Sequence, residues 1–153
     1  MKKRVLTFDD SGIVGDYLKE MLETDGFEVT DCIDCYRVIE ELKNAPFDYY
    51  ILDLNVSTRG LPSAELSGQT RGGLLTGWIL LIHVIAKADP KAINNAIIFS
   101  DYTTRLERYI NDLSEDPEDQ QGKYDRIKAN GCILHKTERA SVLRGLLKRL
   151  EGK

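Results

Sequence analysis

The sequence predicts an α/β protein with a doubly wound, five-stranded parallel sheet, and three observations support this fold class. Short runs of β-forming residues alternate along the chain with longer segments of helical periodicity, the order expected of parallel β-α units. The strand runs are continuously apolar, as in sheets that helices cover on both faces. The 153 residues are enough for one domain with a core, and the hydrophobic content of 42% and charged content of 30% are ordinary for a globular protein.

The strands and helices can be placed along the chain from these patterns. Strands are predicted at the β-forming runs, which are residues 4–8, 27–32, 49–54, 95–100 and 131–134. Helices are predicted where apolar residues recur at helical spacing, over residues 13–26, 36–44, 73–88 and 138–150. The expected core positions of the first and last helices are Ile13, Val14, Tyr17, Leu18, Met21 and Leu22, and Val142, Leu143, Leu146, Leu147 and Leu150. The apolar stretch 74–86 is too short to span a bilayer, so it predicts a buried helix.

Two polar segments interrupt this pattern and are interpreted as insertions in a single domain that covers residues 1–153. Residues 56–73, rich in Gly, Ser and Pro, predict a long loop after the third strand. Residues 111–125 are acidic and predict an interruption or extension of the helical region between the fourth and fifth strands. Loops of this length are usually functional or mobile, although tolerated surface insertions explain them equally well. In the first insertion, Arg59 and Arg71 are candidates for contact with a phosphate or a partner.

Composition and charge exclude several classes of function. The formal net charge of −4 leaves no basic excess for direct binding of nucleic acid. The apolar part of the first ten residues is too short for a signal peptide, and the chain has no predicted membrane span. Three cysteines without a secretion signal indicate free thiols in the cytoplasm.

Polar residues follow four of the predicted strands at the point where each strand ends. The first strand leads into Asp9 and Asp10, the third into Asp53, the fourth ends at Ser100, and the fifth runs into Lys136. The carboxyl ends of parallel strands share one edge of the sheet, which is where doubly wound proteins place their sites. Three carboxylates, a hydroxyl and an amine are therefore expected to lie together.

This set of groups indicates metal-assisted phosphoryl chemistry. Three clustered carboxylates cannot all stay ionised without a positive partner, and a few carboxylates with phosphate oxygens suit Mg²⁺. A carboxylate can also act as a nucleophile toward phosphorus. Phosphoryl transfer needs mainly positioning and charge neutralisation, which a cation, a lysine and a hydroxyl would supply.

Four stretches of the chain resemble the receiver domains of two-component response regulators of the chemotaxis-regulator type. They are LTFDDS (6–11), YYILDLN (49–55), NAIIFSD (95–101) and GCILHK (131–136), with GWILLIHVI (77–85) in the place of the third helix. The resemblance covers the whole chain apart from the two insertions. It implies a flavodoxin-like (β/α)5 receiver fold with strand order 2-1-3-4-5.

The resemblance also implies roles for the residues at the sheet edge. Asp53 would be the phosphoacceptor. Asp10 would bind Mg²⁺ directly, Asp9 would assist partly through water, and Asn55 would offer its backbone carbonyl to the metal. These assignments make Mg²⁺ the expected cofactor.

Two further residues and the partners follow from the same resemblance. Lys136 would pair with Asp53 and then with the phosphoryl oxygens, and Ser100 would hydrogen-bond the phosphoryl group and report its arrival. The phosphoryl donor would be a histidine kinase or a histidine phosphotransfer protein, and an unknown protein would be the target. The chain is therefore expected to be a stand-alone cytoplasmic signalling receiver that catalyses only its own phosphorylation and dephosphorylation. A homodimer is possible on this interpretation.

The sequence departs from the family pattern at four positions near this edge. Thr137 stands where the family commonly has a cis proline, and Ile133 stands where many members have a switching Tyr or Phe. Asp101 replaces a small residue, and its carboxylate would either repel phosphate or join the metal shell. Tyr102 lies near the expected path of the attacking water, where a bulky ring would slow dephosphorylation.

Alternative functions remain open at this point. One is a degenerate receiver that binds a partner without phosphorylation. Another is an aspartyl-phosphate phosphatase of the haloacid-dehalogenase type, although FDDSGIV (8–14) lacks the Asp-x-Asp motif of that class and no cap domain is evident. Cys32 and Cys35 form a CxxC pair, but Cys132 and His135, the other pair that a zinc site needs, are expected across the sheet, which favours structural cysteines.

Overall fold

The computed structural model describes residues 1–44, 46–138 and 140–152. Its centre is a five-stranded sheet in which every neighbouring pair of strands is parallel. The strands are β1 (Arg4–Phe8), β2 (Glu28–Cys32), β3 (Tyr49–Leu52), β4 (Ala96–Ser100) and β5 (Ile133–His135). Their spatial order is β2-β1-β3-β4-β5, which confirms the doubly wound fold and the predicted strand order.

Helices connect and follow these strands. The longer helices are α1 (Gly12–Thr24), α2 (Cys35–Leu42), α7 (Thr103–Asn111), α8 (Gln120–Ala129) and α9 (Ala140–Glu151). The shorter helices are α3 (Ala64–Gln69), α4 (Thr76–Leu80), α5 (Ala86–Ala88) and α6 (Ala92–Asn95), with a π-helical turn (Leu81–Ile85) joining α4 to α5. No helix in the described part of the chain combines the length and the apolar character that crossing a membrane requires.

Side-chain caps define where the first three helices begin. Ser11 accepts a hydrogen bond from the backbone N–H of Val14 and starts α1. Asp34 does the same for α2 and Ser63 for α3. Each cap satisfies a donor that the first helical turn leaves without an intrahelical partner. The cap at Ser11 matters most here, because it starts α1 directly after the acidic pair.

The predicted buried helix over residues 73–88 is confirmed, and it links the sheet to the second insertion. Trp78 is fully buried, and its indole Nε1–H donates to the buried Gln120 Oε1 at 2.9 Å. The indole ring also packs edge-on against Tyr124. At the end of the same helical region, Asp89 follows α5 and accepts a hydrogen bond from the hydroxyl of Tyr50 in β3 at 2.8 Å. A buried hydroxyl or indole N–H needs such a partner.

The two insertions are more helical than predicted. Residues 56–73, predicted as a loop, contain α3, which Ser63 caps. Residues 111–125 contain the last residue of α7, a turn, and the first residues of α8, where Asp119 caps the helix. The prediction of an interrupted helical region is therefore confirmed for the second insertion, and the prediction of a structureless first insertion is wrong.

Three predicted core positions are wrong. The exposed fractions of Ile13, Tyr17 and Val142 are 84%, 51% and 41%. Ile13 and Tyr17 are four residues apart and share one side of α1, one residue away from the stripe that contains Leu18. One residue rotates a side chain by about 100° around a helix, so these positions face solvent although their periodicity matches that of the core. Val142 precedes the buried Leu143 in the same way.

Candidate functional site

The sheet register brings the predicted site residues to one edge. The ladder continues one residue beyond the strands, because Asp9 N–H donates to Cys32 O at 3.1 Å and Asp53 N–H donates to Phe8 O at 2.8 Å. Asp9 and Asp53 therefore lie on adjacent strands at the same level. Both are almost fully buried, with 3% and 6% of their surface exposed. The backbone thus fixes two carboxylates side by side at the carboxyl end of the sheet.

Asp10 completes a three-carboxylate cluster with Asp9 and Asp53. One carboxylate oxygen from each residue lies within 4.8 Å of the others, and Asp10 is exposed. Oxygen donors at this spacing fit a hard divalent cation, and the exposed side at Asp10 leaves room for the waters that Mg²⁺ retains. The donor set therefore fits the predicted magnesium ion. Asn55 is half-buried and lines, with Asp10, a polar cavity of about 410 Å³ next to the cluster.

Lys136 bridges two of the three carboxylates. Its Nζ lies 2.7 Å from Asp9 Oδ2 and 2.9 Å from Asp53 Oδ2. Burial raises the pKa of Asp9, against the opposing effect of Lys136. Burial alone would lower the pKa of Lys136, but the hydrogen bonds to Asp9 and Asp53 outweigh it and raise the pKa above its usual value. Lys136 is therefore a firmly charged ammonium group at neutral pH.

Ser100 lies next to Asp53 through a shared backbone donor. The Leu54 N–H donates to Asp53 Oδ1 at 2.7 Å and also lies 3.4 Å from Ser100 Oγ. A second N–H, that of Tyr102, donates to Ser100 Oγ at 3.1 Å. Since the serine oxygen accepts these bonds, its hydroxyl proton can be donated to an oxyanion near Asp53. The backbone of Lys136 also donates to Ser100 O at 3.2 Å, which ties β5 to this edge.

Gly77 lets α4 pack directly against the backbone of Asp53 and Leu54. This role was not predicted from the sequence. Its N–H donates to Leu54 O at 3.1 Å at the first turn of α4. A Cβ at position 77 would lie only 1.8 Å from the backbone oxygen of Asp53. The helix can approach the Asp53 backbone this closely only with glycine at this position. The sequence signal was a lone glycine at the start of an otherwise apolar helix.

None of the four departures from the family pattern belongs to the carboxylate cluster, and two of them, Tyr102 and Ile133, pack partly buried against the hydrophobic core. Asp101 is exposed, and its Oδ1 lies 3.8 Å from His135 Nε2, outside the cluster of Asp9, Asp10 and Asp53. His135 Nδ1 also lies 2.8 Å from Thr137 Oγ1, which closes the turn after β5. Among the described residues, no peptide bond is cis.

The other predicted groups lie outside the carboxylate cluster. Arg59 is exposed and does not line the polar cavity beside Asp10, and its contact with a phosphate or a partner stays a prediction. Arg71 lies against the ring of Tyr109 in α7, with its guanidinium carbon 5.4 Å from the ring centroid. Cys32 and Cys35 are buried, and no disulfide joins cysteines within the described residues. Burial raises the pKa of both thiols to about 12. They are therefore unreactive core residues, as their sequence context favoured.

Comparison with known proteins defines the class of fold. No protein-family model matches the chain. No curated protein matches it either. Many solved structures do, and among them are CheY-like receiver domains of response regulators. The chain therefore has the receiver-domain fold, as the four sequence stretches predict.

Three of these structures illustrate how fully the fold is shared. A CheY-like receiver domain protein from Methanospirillum hungatei superposes with a TM-score of 0.61 at 16% identity, over 99% of this chain and 96% of its own. TrrA from Thermotoga maritima, in complex with Mg²⁺ and BeF, has a TM-score of 0.59 at 20% identity, over 97% and 98%. The chemotaxis protein CheY4 of Vibrio cholerae has a TM-score of 0.57 at 18% identity, over 98% and 99%.

Proposed function

We propose that this chain is a response regulator receiver that accepts a phosphoryl group on Asp53 in a Mg²⁺-dependent reaction. The donor is a histidine kinase, a histidine phosphotransfer protein or a small phosphodonor. The observation that carries the proposal is the placement of Asp53 between Asp9, Asp10 and the ammonium group of Lys136 at the carboxyl edge of the sheet. The structure of TrrA with Mg²⁺ and BeF adds support, since BeF is a chemical mimic of a phosphoryl group.

Each residue has a defined part in the transfer. A carboxylate oxygen of Asp53 forms a bond to phosphorus while the bond from phosphorus to the donor breaks, and the electron pair of that bond leaves with the donor. Lys136 then pairs with the new phosphoryl oxygens, and the Ser100 hydroxyl donates to one of them. Asp10, with help from Asp9 and the Asn55 carbonyl, would hold Mg²⁺, which would supply charge neutralisation there.

The same contacts connect phosphorylation at Asp53 to a structural change in α7. The Ser100 hydroxyl oxygen accepts from Leu54 N–H and Tyr102 N–H, so a Ser100 that turns toward a phosphoryl group weakens both bonds. Tyr102 precedes α7, which therefore senses the change directly. Differential contacts of the phosphoryl group thus bias a two-state equilibrium that alters affinity for a protein target. We also propose a cytoplasmic location and no catalysis beyond the receiver's own phosphorylation and dephosphorylation.

A labelling experiment tests this function. The protein is incubated with acetyl phosphate and MgCl₂, and its intact mass is measured over time beside Asp53→Asn and a sample with EDTA. The proposal expects the mass of one phosphoryl group on the wild type alone, followed by slow loss. Continuous turnover of p-nitrophenyl phosphate without stable labelling would instead indicate a phosphatase of the haloacid-dehalogenase type.

One observation favours a second candidate, a receiver that binds its partner without phosphorylation. Lys136 already bridges Asp9 and Asp53, so the cluster is partly neutralised by the protein itself. Such a site would hold one conformation permanently. Equal partner binding by the wild type and Asp53→Asn under phosphorylating conditions would support this candidate.

A further inference from the structure

A second, smaller cavity lies away from the carboxylate cluster, between the end of the first insertion and α7. Its volume is about 150 Å³. Arg71 closes one side, and Arg105, Arg108 and Tyr109 of α7 close the other. None of the acidic residues of the sheet-edge site lines it. We call this the arginine pocket.

The arginine pocket concentrates positive charge in an acidic protein. Three exposed arginines, Arg71, Arg105 and Arg108, line it beside a single acidic residue, Asp112, while the whole chain has a net charge of −4. Other arginines, such as Arg4, Arg37 and Arg144, form ion pairs with carboxylates. Within residues 1–44, 46–138 and 140–152, no ion pair involves Arg71, Arg105 or Arg108. The local excess is therefore two positive charges, which matches a dianion.

The backbone at Arg71 is held in a conformation that a non-glycine residue rarely adopts. The φ angles of Arg71, Gly72 and Gly73 are 55°, 71° and 93°, so three consecutive residues are left-handed. Two of the three are glycine, which takes this conformation freely, but Arg71 does not. Backbone strain of this kind tends to persist where it positions a functional group. Here it places the guanidinium over the ring of Tyr109.

The lining favours an anion with a small apolar part. Leu74, Leu75 and Tyr109 form apolar walls beside the guanidinium groups. The cavity is smaller than the roughly 300–1,000 Å³ of sites for drug-sized ligands. A phosphate monoester carries a charge of about −1.5 to −2 at neutral pH and accepts the paired N–H donors of arginine.

We propose that the arginine pocket binds a small phosphate monoester, with the phosphate on the three guanidinium groups and the organic part against Tyr109. This site is separate from the phosphoryl acceptor at Asp53 and does not depend on its function. Its ligand is held without a covalent step.

The test uses phenyl phosphate as the probe, with EDTA present so that no divalent cation can recruit it to Asp53. Binding to the full chain is measured by calorimetry and by amide shifts in ¹H–¹⁵N NMR. We expect shifts at residues 71–75 and 105–112. Benzoate, which has the same ring and a single negative charge, should bind at least about tenfold more weakly.

Three variants locate the binding. The double variant Arg105→Gln/Arg108→Gln should weaken phenyl phosphate binding by about tenfold or more. Arg71→Gly should also weaken it while leaving the thermal midpoint unchanged or higher, because glycine tolerates the left-handed backbone. The control Arg126→Gln removes one positive charge, as Arg71→Gly does, from an exposed position of α8 that does not line the pocket, and should bind within about twofold of the wild type.

Several results would overturn the proposal. These are an absence of saturable binding to the wild type, equal binding of benzoate, unchanged affinity in the double variant, or shifts centred on residues 53–55. Equal losses of affinity in Arg126→Gln and Arg71→Gly would indicate a general charge effect and would also overturn it.

Discussion

A methyl group at Gly77 tests whether α4 positions Asp53, the proposed phosphoacceptor. In Gly77→Ala, the new Cβ would stand 1.8 Å from Asp53 O and 2.8 Å from Asp53 C. Real Cβ atoms stay at least 3.0 Å from such neighbours, so the helix and the Asp53 backbone must separate by at least 1.2 Å. Both groups are backbone, so no side-chain rotation can relieve the contact.

The size of the effect follows from two opposing contributions. Overpacking of a well-packed interior costs about 1–3 kcal/mol, and more where backbone must move. Alanine returns up to about 1 kcal/mol because it favours the helix over glycine. A net destabilisation of about 2 kcal/mol lowers Tm by about 4–8 °C in a domain of this size. A displacement of this order at a reacting group can slow its reaction by about 100-fold.

The assay compares this variant with Gly145→Ala. Gly145 lies in α9, is exposed, and has no atom within 4 Å of a Cβ built on it. The same substitution should therefore stabilise the protein there by about 0.5–1 kcal/mol. Thermal unfolding and the rate of labelling by acetyl phosphate are measured for both. Gly77→Ala with wild-type Tm and wild-type labelling would refute the positioning role.

Three other predictions concern metal, thiols and acid. Mg²⁺ should raise Tm by about 5–10 °C at 100 times its Kd, and Asp10→Asn should abolish the rise; an equal rise in the variant would place the ion elsewhere. With pKa values raised to about 12 by burial, Cys32 and Cys35 should react with iodoacetamide at pH 8 roughly 1,000-fold more slowly than ordinary thiols, unless the protein is unfolded by urea. Burial lowers the pKa of His83, so the unfolded state binds more protons and stability should fall as pH drops through about 6.5. In His83→Leu, the free energy of unfolding should fall less steeply as the pH is lowered. Identical pH dependence in the variant and the wild type would contradict this assignment.

The sheet was predictable because its strands are short, continuously apolar and separated by helical periodicity. Strand β1 was predicted with its observed bounds, and the edge strand β5 was displaced by one or two residues. Helix α3 escaped prediction since six residues with one large apolar side chain, Leu66, give no period to detect. The sequence feature that could have predicted the start of α3 is Ser63, which caps it.

The composition of the site was predictable, but its internal contacts were not. The order of strand ends was enough to gather Asp9, Asp53 and Lys136. That Lys136 contacts both carboxylates depends on the register between β1 and β3, which sequence periodicity does not set. The fit of Gly77 against the Asp53 backbone is a tertiary contact between segments more than twenty residues apart. The position of Asp101 was not predictable either, since its carboxylate lies beside His135 and outside the cluster.

The most direct test of a phosphoryl acceptor at Asp53 is ¹⁹F NMR of the protein with beryllium fluoride and Mg²⁺. The account predicts a protein-bound fluoroberyllate signal in the wild type. That signal should disappear when EDTA removes Mg²⁺ and in Asp53→Asn, and it should persist in the surface control Arg126→Gln. A bound signal that survives in Asp53→Asn, or no bound signal in the wild type, would contradict it.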